Sequence, residues 1–256
     1  MLFHLARSSP AVDPRGQIVI APHHPDRLRR PAAPIGAIAR ARFQQSLAWN
    51  VFRTLELLPP AFWLRRLHIR LVGAALPEAP QIVQVHLWSP LPLPPAMRLD
   101  GARAEVVVDV LIETEHAVWT LPVHGVADGL GDEGGEPGDS VSRIIDAGIW
   151  RAGSRHYCLG MIDTEDGDVS SRGAIVLERL SRSRASVALR SGVRGASAAF
   201  GGAGVVGWQD LAAILRDCEQ ATALTPIERA LARNAVAWLE RVGVRPDAGA
   251  AVRGAR

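Results

Sequence analysis

The stretch AEVVVDVLIETEHAVWTLPVHG, residues 104–125, decides the fold. Two apolar runs, 104–113 and 116–125, are rich in Val, Ile, Leu and Trp, and only Thr114 and Glu115 separate them. Such residues fit the pleated surface of a strand, and a two-residue connection between strands makes an antiparallel hairpin, although Thr-Glu is not the favoured turn pair. With the turn at 114–115, Glu113 faces His116 and Asp109 faces Thr120. Opposed side chains share a face, and that face repeats every second residue, so Asp109, Thr120, Pro122 and His124 project to one side. A carboxylate on so apolar a strand needs a partner, because burying it bare is costly.

Working outward from the hairpin, Ile38, Phe43, Leu47, Val51, Leu55 and Leu58 step by three to five, which predicts a helix ended by Pro59 and Pro60. A short helical piece at 61–66, two strand-like runs (HIRLVG at 68–73 and QIVQVHLW at 81–88) and a break in SPLPLPP at 89–95 follow. On the other side, VADGLGDEGGEPGD at 126–139 reads as a Gly-rich acidic loop, and Asp128, Asp132, Glu133 and Glu136 in it read as solvent-exposed. Asp139 or Ser140 can cap a helix through Ile144, Ile145 and Trp150, and RHYCLGMI at 155–162 reads as the next strand. An acidic turn from Asp163 to Asp168, helical sequence at 173–190 and a Gly/Ala loop come next. Two helices, 208–221 and 226–242, close the chain, the second with Thr225 as cap, Pro226 in first position and Glu228 in third. The expected organisation is an N-terminal arm at 1–37, a core at 38–165, a helical part at 166–243 packed on it, and a disordered tail at 244–256. The fold class is mixed α/β, a sheet covered by helices.

Composition removes several chemistries. All 29 Lys+Arg residues are arginine, an absence that accords with GC-rich coding. Without lysine there is no phosphate-binding loop of the Gly-Lys-Ser/Thr kind and no Schiff base to a pyridoxal cofactor, and no cofactor is expected. A formal charge of +3 permits contact with nucleic acid without demanding it. Cys158 and Cys218 lie 60 positions apart with no metal-ligand spacing around them, so both read as small buried hydrophobes. No apolar run approaches the roughly 18 residues of a membrane span and the first ten residues lack a signal-peptide layout, so a cytoplasmic, membrane-free protein is expected.

The order helix, hairpin strands, helix, strand resembles the restriction-endonuclease-like fold of the PD-(D/E)XK nucleases. FQQSLAWNVFRTLELLP at 43–59, VDVLIETEHAVWTLPVHG at 108–125 and SRIIDAGIWRAGSRHYCLGMI at 142–162 are similar to the helix, catalytic hairpin and following helix–strand pair of bacterial members. LTPIERALARNAVAWLERVG at 224–243 is similar to a helix near their C-terminus. The resemblance implies an αβββαβ core over 38–165. It also implies an aspartate on one hairpin strand, Glu-x-Lys on the next and a glutamate on the first helix. Here the matching positions hold Asp109, Pro122, His124 and Gln45 (beside Gln44).

Only the first of these is kept. Such a nuclease needs two carboxylates to hold a divalent ion and a lysine beside the attacking water. Pro122 offers neither a side-chain oxygen nor a ladder N–H, and a histidine of ordinary pKa, about 6.5, is mostly neutral at pH 7. Glu113 and Glu105 lie four residues from Asp109, about 13 Å along a strand at roughly 3.3 Å per residue, too far to share its ion. The implied protein is a degenerate, catalytically inactive member acting as a nucleic-acid-binding subunit, DNA before RNA, or as an assembly subunit with a protein partner. The alternatives are an active Mg-dependent nuclease using Asp109 as metal ligand and His124 as base, with a residue of the acidic loop folded back as the missing ligand, and a purely structural interaction subunit. Arginines at 27–30, 65–70 and 172–194 would make a duplex groove if they gathered on the side of Asp109. Trp49, Trp119, Trp150 and Trp238 read as core or interhelix filler, Asn50 as bonding to nearby backbone, and His23 and His24 as exposed arm residues.

Overall fold

The computed structural model describes residues 37–76, 80–95, 105–124, 139–163 and 200–245, and the side chains of these except at 37–42, 124 and 139–142. The N-terminal arm before Ala37, the acidic loop before Asp139, the helical sequence at 173–190 and the tail beyond Arg245 lie outside the described residues. The disordered tail expected from 244 begins later, because Val244 is buried in the core and its N–H donates to Leu239 O at 2.9 Å. Within them are five helices and a mixed sheet of six strands. No described helix is long and apolar enough to cross a membrane.

Helix α1 (Ala37–Glu56) buries the expected stripe of Phe43, Leu47, Val51 and Leu55. Helix α2 (Pro60–Val72) corrects the strand expected at 68–73. Trp63, Leu64, Leu67, His68 and Leu71 are all buried at helical spacing, Pro60 supplies a ready-made first turn, and the chain leaves through Gly73 at φ 75°, whose N–H bonds back to Ile69 O. The run Ile-Arg-Leu-Val has strand propensity, but packing of the helix's apolar stripe prevails.

Strand β1 (Gln84–Pro92) runs through the Ser-Pro-Leu-Pro expected to break the chain. It lies at the edge of the sheet, the place where a strand tolerates prolines. Strands β2 (Glu105–Glu113) and β3 (Ala117–Leu121) form the expected antiparallel hairpin. The turn, however, is Glu115–His116, one residue later than expected. Thr114 N–H donates to Ala117 O at 2.9 Å, and Thr114 Oγ1 accepts from the N–H groups of Ala117 at 2.9 Å and His116 at 3.2 Å. A threonine that bonds into the turn moves it by one residue and the register by two, which leaves every side chain on its expected face. Glu113 pairs with Val118 and Leu111 with Thr120.

After β3, Pro122 interrupts the strand and β4 (Val123–His124) continues its line, keeping the same parallel register against β5 (His156–Asp163). Helix α3 (Asp139–Ala152) makes the crossover between them. Strand β6 (Phe200–Gly207) is parallel to β5, where the sequence suggested only a loop, so the C-terminal third contributes a strand as well as helices α4 (Trp208–Gln220) and α5 (Pro226–Arg241). Strand order is β1-β2-β3-β5-β6, with β4 beside β5 on the β3 side. Gly204 explains why FGGAGVVG is a strand: a Cβ there would lie 1.9 Å from Leu71 O, so α2 rests directly on the backbone of β6. The capping box of α5 is present, Thr225 and Glu228 each accepting the other's N–H.

The sheet divides two apolar layers. On one face α1, α2, α4 and α5 pack with Val110, Ile112, Trp119, Leu121, Cys158 and Ile162. On the other, α3 packs with Val108, Leu111, Val118, Tyr157 and Met161. Cys158 and Cys218 are buried free thiols, their pKa values pushed up by burial to about 12 and about 11, and they behave as small hydrophobes.

Candidate functional site

Strands β2 and β3 pair through Val110 and Leu121 and then part. Past that point β4 stays with β5, Val123 beside Ile162 and His124 beside Asp163, while β2 stays with β1. The result is a fork in the sheet, open toward the carboxyl ends of β1, β4, β5 and β6. Val107, beyond the fork on β2, is 59% exposed.

Asp109 stands at the crotch. Continuing the register by one residue sets it against Pro122 rather than Thr120. Its Oδ2 accepts the N–H of Val123 at 2.8 Å, so a side chain takes a donor that an unbroken ladder would give to a backbone carbonyl of β2. On its other side Pro122 offers only a carbonyl, which accepts from Ile162 N–H at 2.9 Å. The structure therefore brings together Asp109, Pro122 and the backbone of His124.

Asp163, which the sequence suggested was the start of an acidic turn, joins this region as the last residue of β5, 1% exposed and in register with His124 on one side and Gly207 on the other. One more residue of the RHYCLGMI strand would have placed it there. Gln45 is half-buried on α1, and its neighbour Gln44 accepts the indole N–H of Trp208 at 2.6 Å. Below the fork, Thr120 Oγ1 and Tyr157 Oη lie 2.7 Å apart. Burial keeps the Tyr157 hydroxyl far above its ordinary pKa, so it remains a neutral hydrogen-bonding group.

The positions implied by the resemblance do not fit a divalent ion held by two carboxylates. Asp109 is opposed by a proline, and one of its oxygens already accepts a backbone N–H. Among the described residues no group of three or more His, Cys, Asp or Glu is arranged to hold a metal. Glu113, four residues along the same strand, is committed elsewhere: Arg151 grips it with two hydrogen bonds of 3.1 and 2.8 Å and Arg155 adds a third at 3.0 Å.

The arginines expected to make a groove divide into two sets. Those at 27–30 and 172–194 lie outside the described residues. On α2, Arg66 pairs with Asp217 and Arg70 with Asp210, both on α4, in the layer opposite α3. Trp119 and Trp238 are buried as expected, whereas Trp150 is 45% exposed and fills no core. Asn50 Nδ2 donates to Ser46 O at 2.8 Å, the backbone role expected of it. Among known proteins, no family model, no curated protein and no solved structure matches the chain.

Proposed function

We propose that the chain is a nuclease-like scaffold of the PD-(D/E)XK kind whose metal chemistry has been lost, and that it works as an assembly subunit. The observation that carries this is the fork: a hairpin whose strands part at an aspartate, with a proline where the second carboxylate would stand. Element order supports it as well, since α1, β1, β2, β3, α3 and β5 follow one another as the resemblance implies, with α2 inserted after α1 and β6 added beyond β5. Assembly is favoured over duplex binding by the ion pairing of the described arginines. Of the twelve arginines whose side chains are described, Arg53, Arg66, Arg70, Arg151, Arg155, Arg216 and Arg233 face a carboxylate, which leaves less uncompensated charge for phosphates.

Purified protein incubated with linear DNA, supercoiled DNA and RNA in Mg²⁺ or Mn²⁺ tests the proposal. No cleavage is expected. Cleavage abolished by Asp109→Ala overturns it, and cleavage indifferent to that change marks a contaminant. In a gel shift between 50 and 200 mM salt, binding that weakens steeply would restore the nucleic-acid role, and copurification of one stoichiometric protein would support assembly.

A second reading, an active Mg-dependent enzyme with a rearranged site, is favoured by one observation: Asp163 is a buried carboxylate in register with His124, on the strand next to β4. It would supply the second carboxylate from β5 instead of the hairpin. The cleavage assay separates the readings, because under this one Asp163→Asn and Asp109→Ala abolish activity alike.

A further inference from the structure

Trp88 is the only non-glycine residue with positive φ among those described, at 53°. An L-residue in that region is strained by about 1–2 kcal/mol, and an aromatic side chain gives it no local hydrogen bond in return. Its indole N–H is also buried without a hydrogen-bond partner. Two unfavourable features in one residue persist only where the surroundings impose them.

What they accomplish is visible in the ladder. Strands β1 and β2 pair continuously from Gln84↔Glu113 to Leu87↔Val110 and again from Ser89↔Val108 to Pro92↔Glu105, and the pair missing between them is Trp88 with Asp109. Both strands turn over at that point. Val85 and Leu87 pack with the four-helix layer, whereas Leu91 and Leu93, on the same alternation, pack with α3. On β2, Val110 and Ile112 pack with the four-helix layer and Val106 and Val108 with α3. A regular strand keeps i and i+2 on one face, so each strand makes a half-turn, centred on Trp88 in β1 and Asp109 in β2. The half-turn also carries β2 away from β4 and opens the fork. Trp88 is held by stacking on Trp49 of α1, the rings 6.1 Å apart and 8° from parallel, with the Arg53 guanidinium 5.1 Å from the Trp49 ring.

We propose that Trp88 is the positioning residue of Asp109: its left-handed backbone, braced by Trp49, unmakes the ladder pair and presents the carboxylate to Val123 N–H at the mouth of the fork. This deepens the proposed function by naming what sets the site's remaining carboxylate, and rests on that reading only for Asp109's significance.

The test is amide exchange at Val123 in the full chain, which involves neither metal nor nucleic acid and so succeeds or fails independently of the nuclease-like reading. Trp88→Gly and Trp88→Ala both remove the ring, but only glycine takes φ 53° freely. Val123 exchange is expected to stay within about twofold of wild type in Trp88→Gly and to be about five- to tenfold faster in Trp88→Ala, close to the effect of Asp109→Ala. Adding Asp109→Ala to both variants should erase the difference between them. Equal exchange in Trp88→Gly and Trp88→Ala would overturn the proposal, since the ring's bulk would then be all that matters. Should either variant fail to fold, Trp49→Ala removes the brace alone and must speed Val123 exchange; no change there overturns the proposal equally.

Discussion

Strand β2 carries a carboxylate near each end of its pairing with β3, and the two are treated differently. At the closed end Glu113 is 6% exposed and receives three hydrogen bonds from Arg151 and Arg155. Arg155 also donates to Thr114 O at 3.1 Å, and His86 Nε2 on β1 lies 3.6 Å from Glu113. Side chains from β1, from α3 and from the turn before β5 meet on that carboxylate. At the open end Asp109 accepts the backbone N–H of Val123 across a gap from which one strand has withdrawn. The sheet is thus riveted at the hairpin turn and parted at the carboxyl edge, the edge at which open α/β sheets place their ligands. A carboxylate buried under two guanidiniums is fixed by charge, whereas the one at the fork takes the place of a backbone carbonyl in the ladder.

The largest expected effect follows from the rivet. Glu113→Ala leaves Arg151 and Arg155 without their shared acceptor. Because their side chains are 48% and 27% exposed and can regain water, the loss should fall below that of a fully buried ion pair, about 2–3 kcal/mol in urea unfolding. Asp109→Ala should lose about 1 kcal/mol. Equal losses would break the comparison.

How much of this was legible in the sequence depends on how local the deciding interaction is. The hairpin, α1 and the cap of α5 are written in alternation, helical spacing and the Thr225–Glu228 box, all within a few residues. Helix α2 was missed at 68–72 because a short apolar run suits strand or helix, and its stripe emerges only when Trp63 to Leu71 are taken together. Strand β6 has no alternation; it is a strand because Gly202 and Gly204 let Val72 and Leu71 come close. The candidate site divides likewise. Asp109, Pro122 and His124 follow from hairpin parity, which survives the shifted turn. Asp163 arrives through the α3 crossover, and the half-turn at Trp88 depends on an indole 39 positions away, so neither is visible along the chain.

Acid should weaken the closed end selectively. Burial by itself would raise the pKa of Glu113, but the hydrogen bonds and charges of Arg151 and Arg155 outweigh it and hold the group below its ordinary 4.5. A carboxylate whose pKa is lower folded than unfolded stabilises the fold in full above the unfolded value and loses that contribution as pH falls through the folded one. Measured against Glu113→Gln, the wild-type advantage should therefore be constant from pH 7 to about 5.5 and shrink below about 4.5. An advantage that instead grew on acidification would mean that the arginines do not control this carboxyl.

A smaller effect is expected at the turn. Thr114→Val keeps the shape but removes the Oγ1 that accepts from His116 and Ala117. The loss should be about 1 kcal/mol, the worth of a hydrogen bond or two at a partly solvated turn. Thr114→Ser keeps the acceptor and should lose less than half as much. If Thr114→Val were neutral, the register would be set by Glu113 and its arginines alone, and the rivet would not extend to the turn.

The smallest effect, Asp109→Asn, distinguishes charge from geometry at the fork. An asparagine retains an oxygen acceptor at nearly the same place, so Val123 N–H keeps its partner and loses only the strengthening that a charged acceptor gives. Global stability should change by no more than about 0.5 kcal/mol, and Val123 exchange should rise by less than about threefold, well short of the effect of Asp109→Ala. At the closed end the same neutralisation, Glu113→Gln, removes the attraction of two guanidiniums and should be clearly destabilising at pH 7. A fork indifferent to charge and a rivet dependent on it would mean that Asp109 is retained for where its oxygen lies. If Asp109→Asn proved as damaging as Asp109→Ala, the charge itself would be needed at the carboxyl edge, and the search for a cationic partner would begin there.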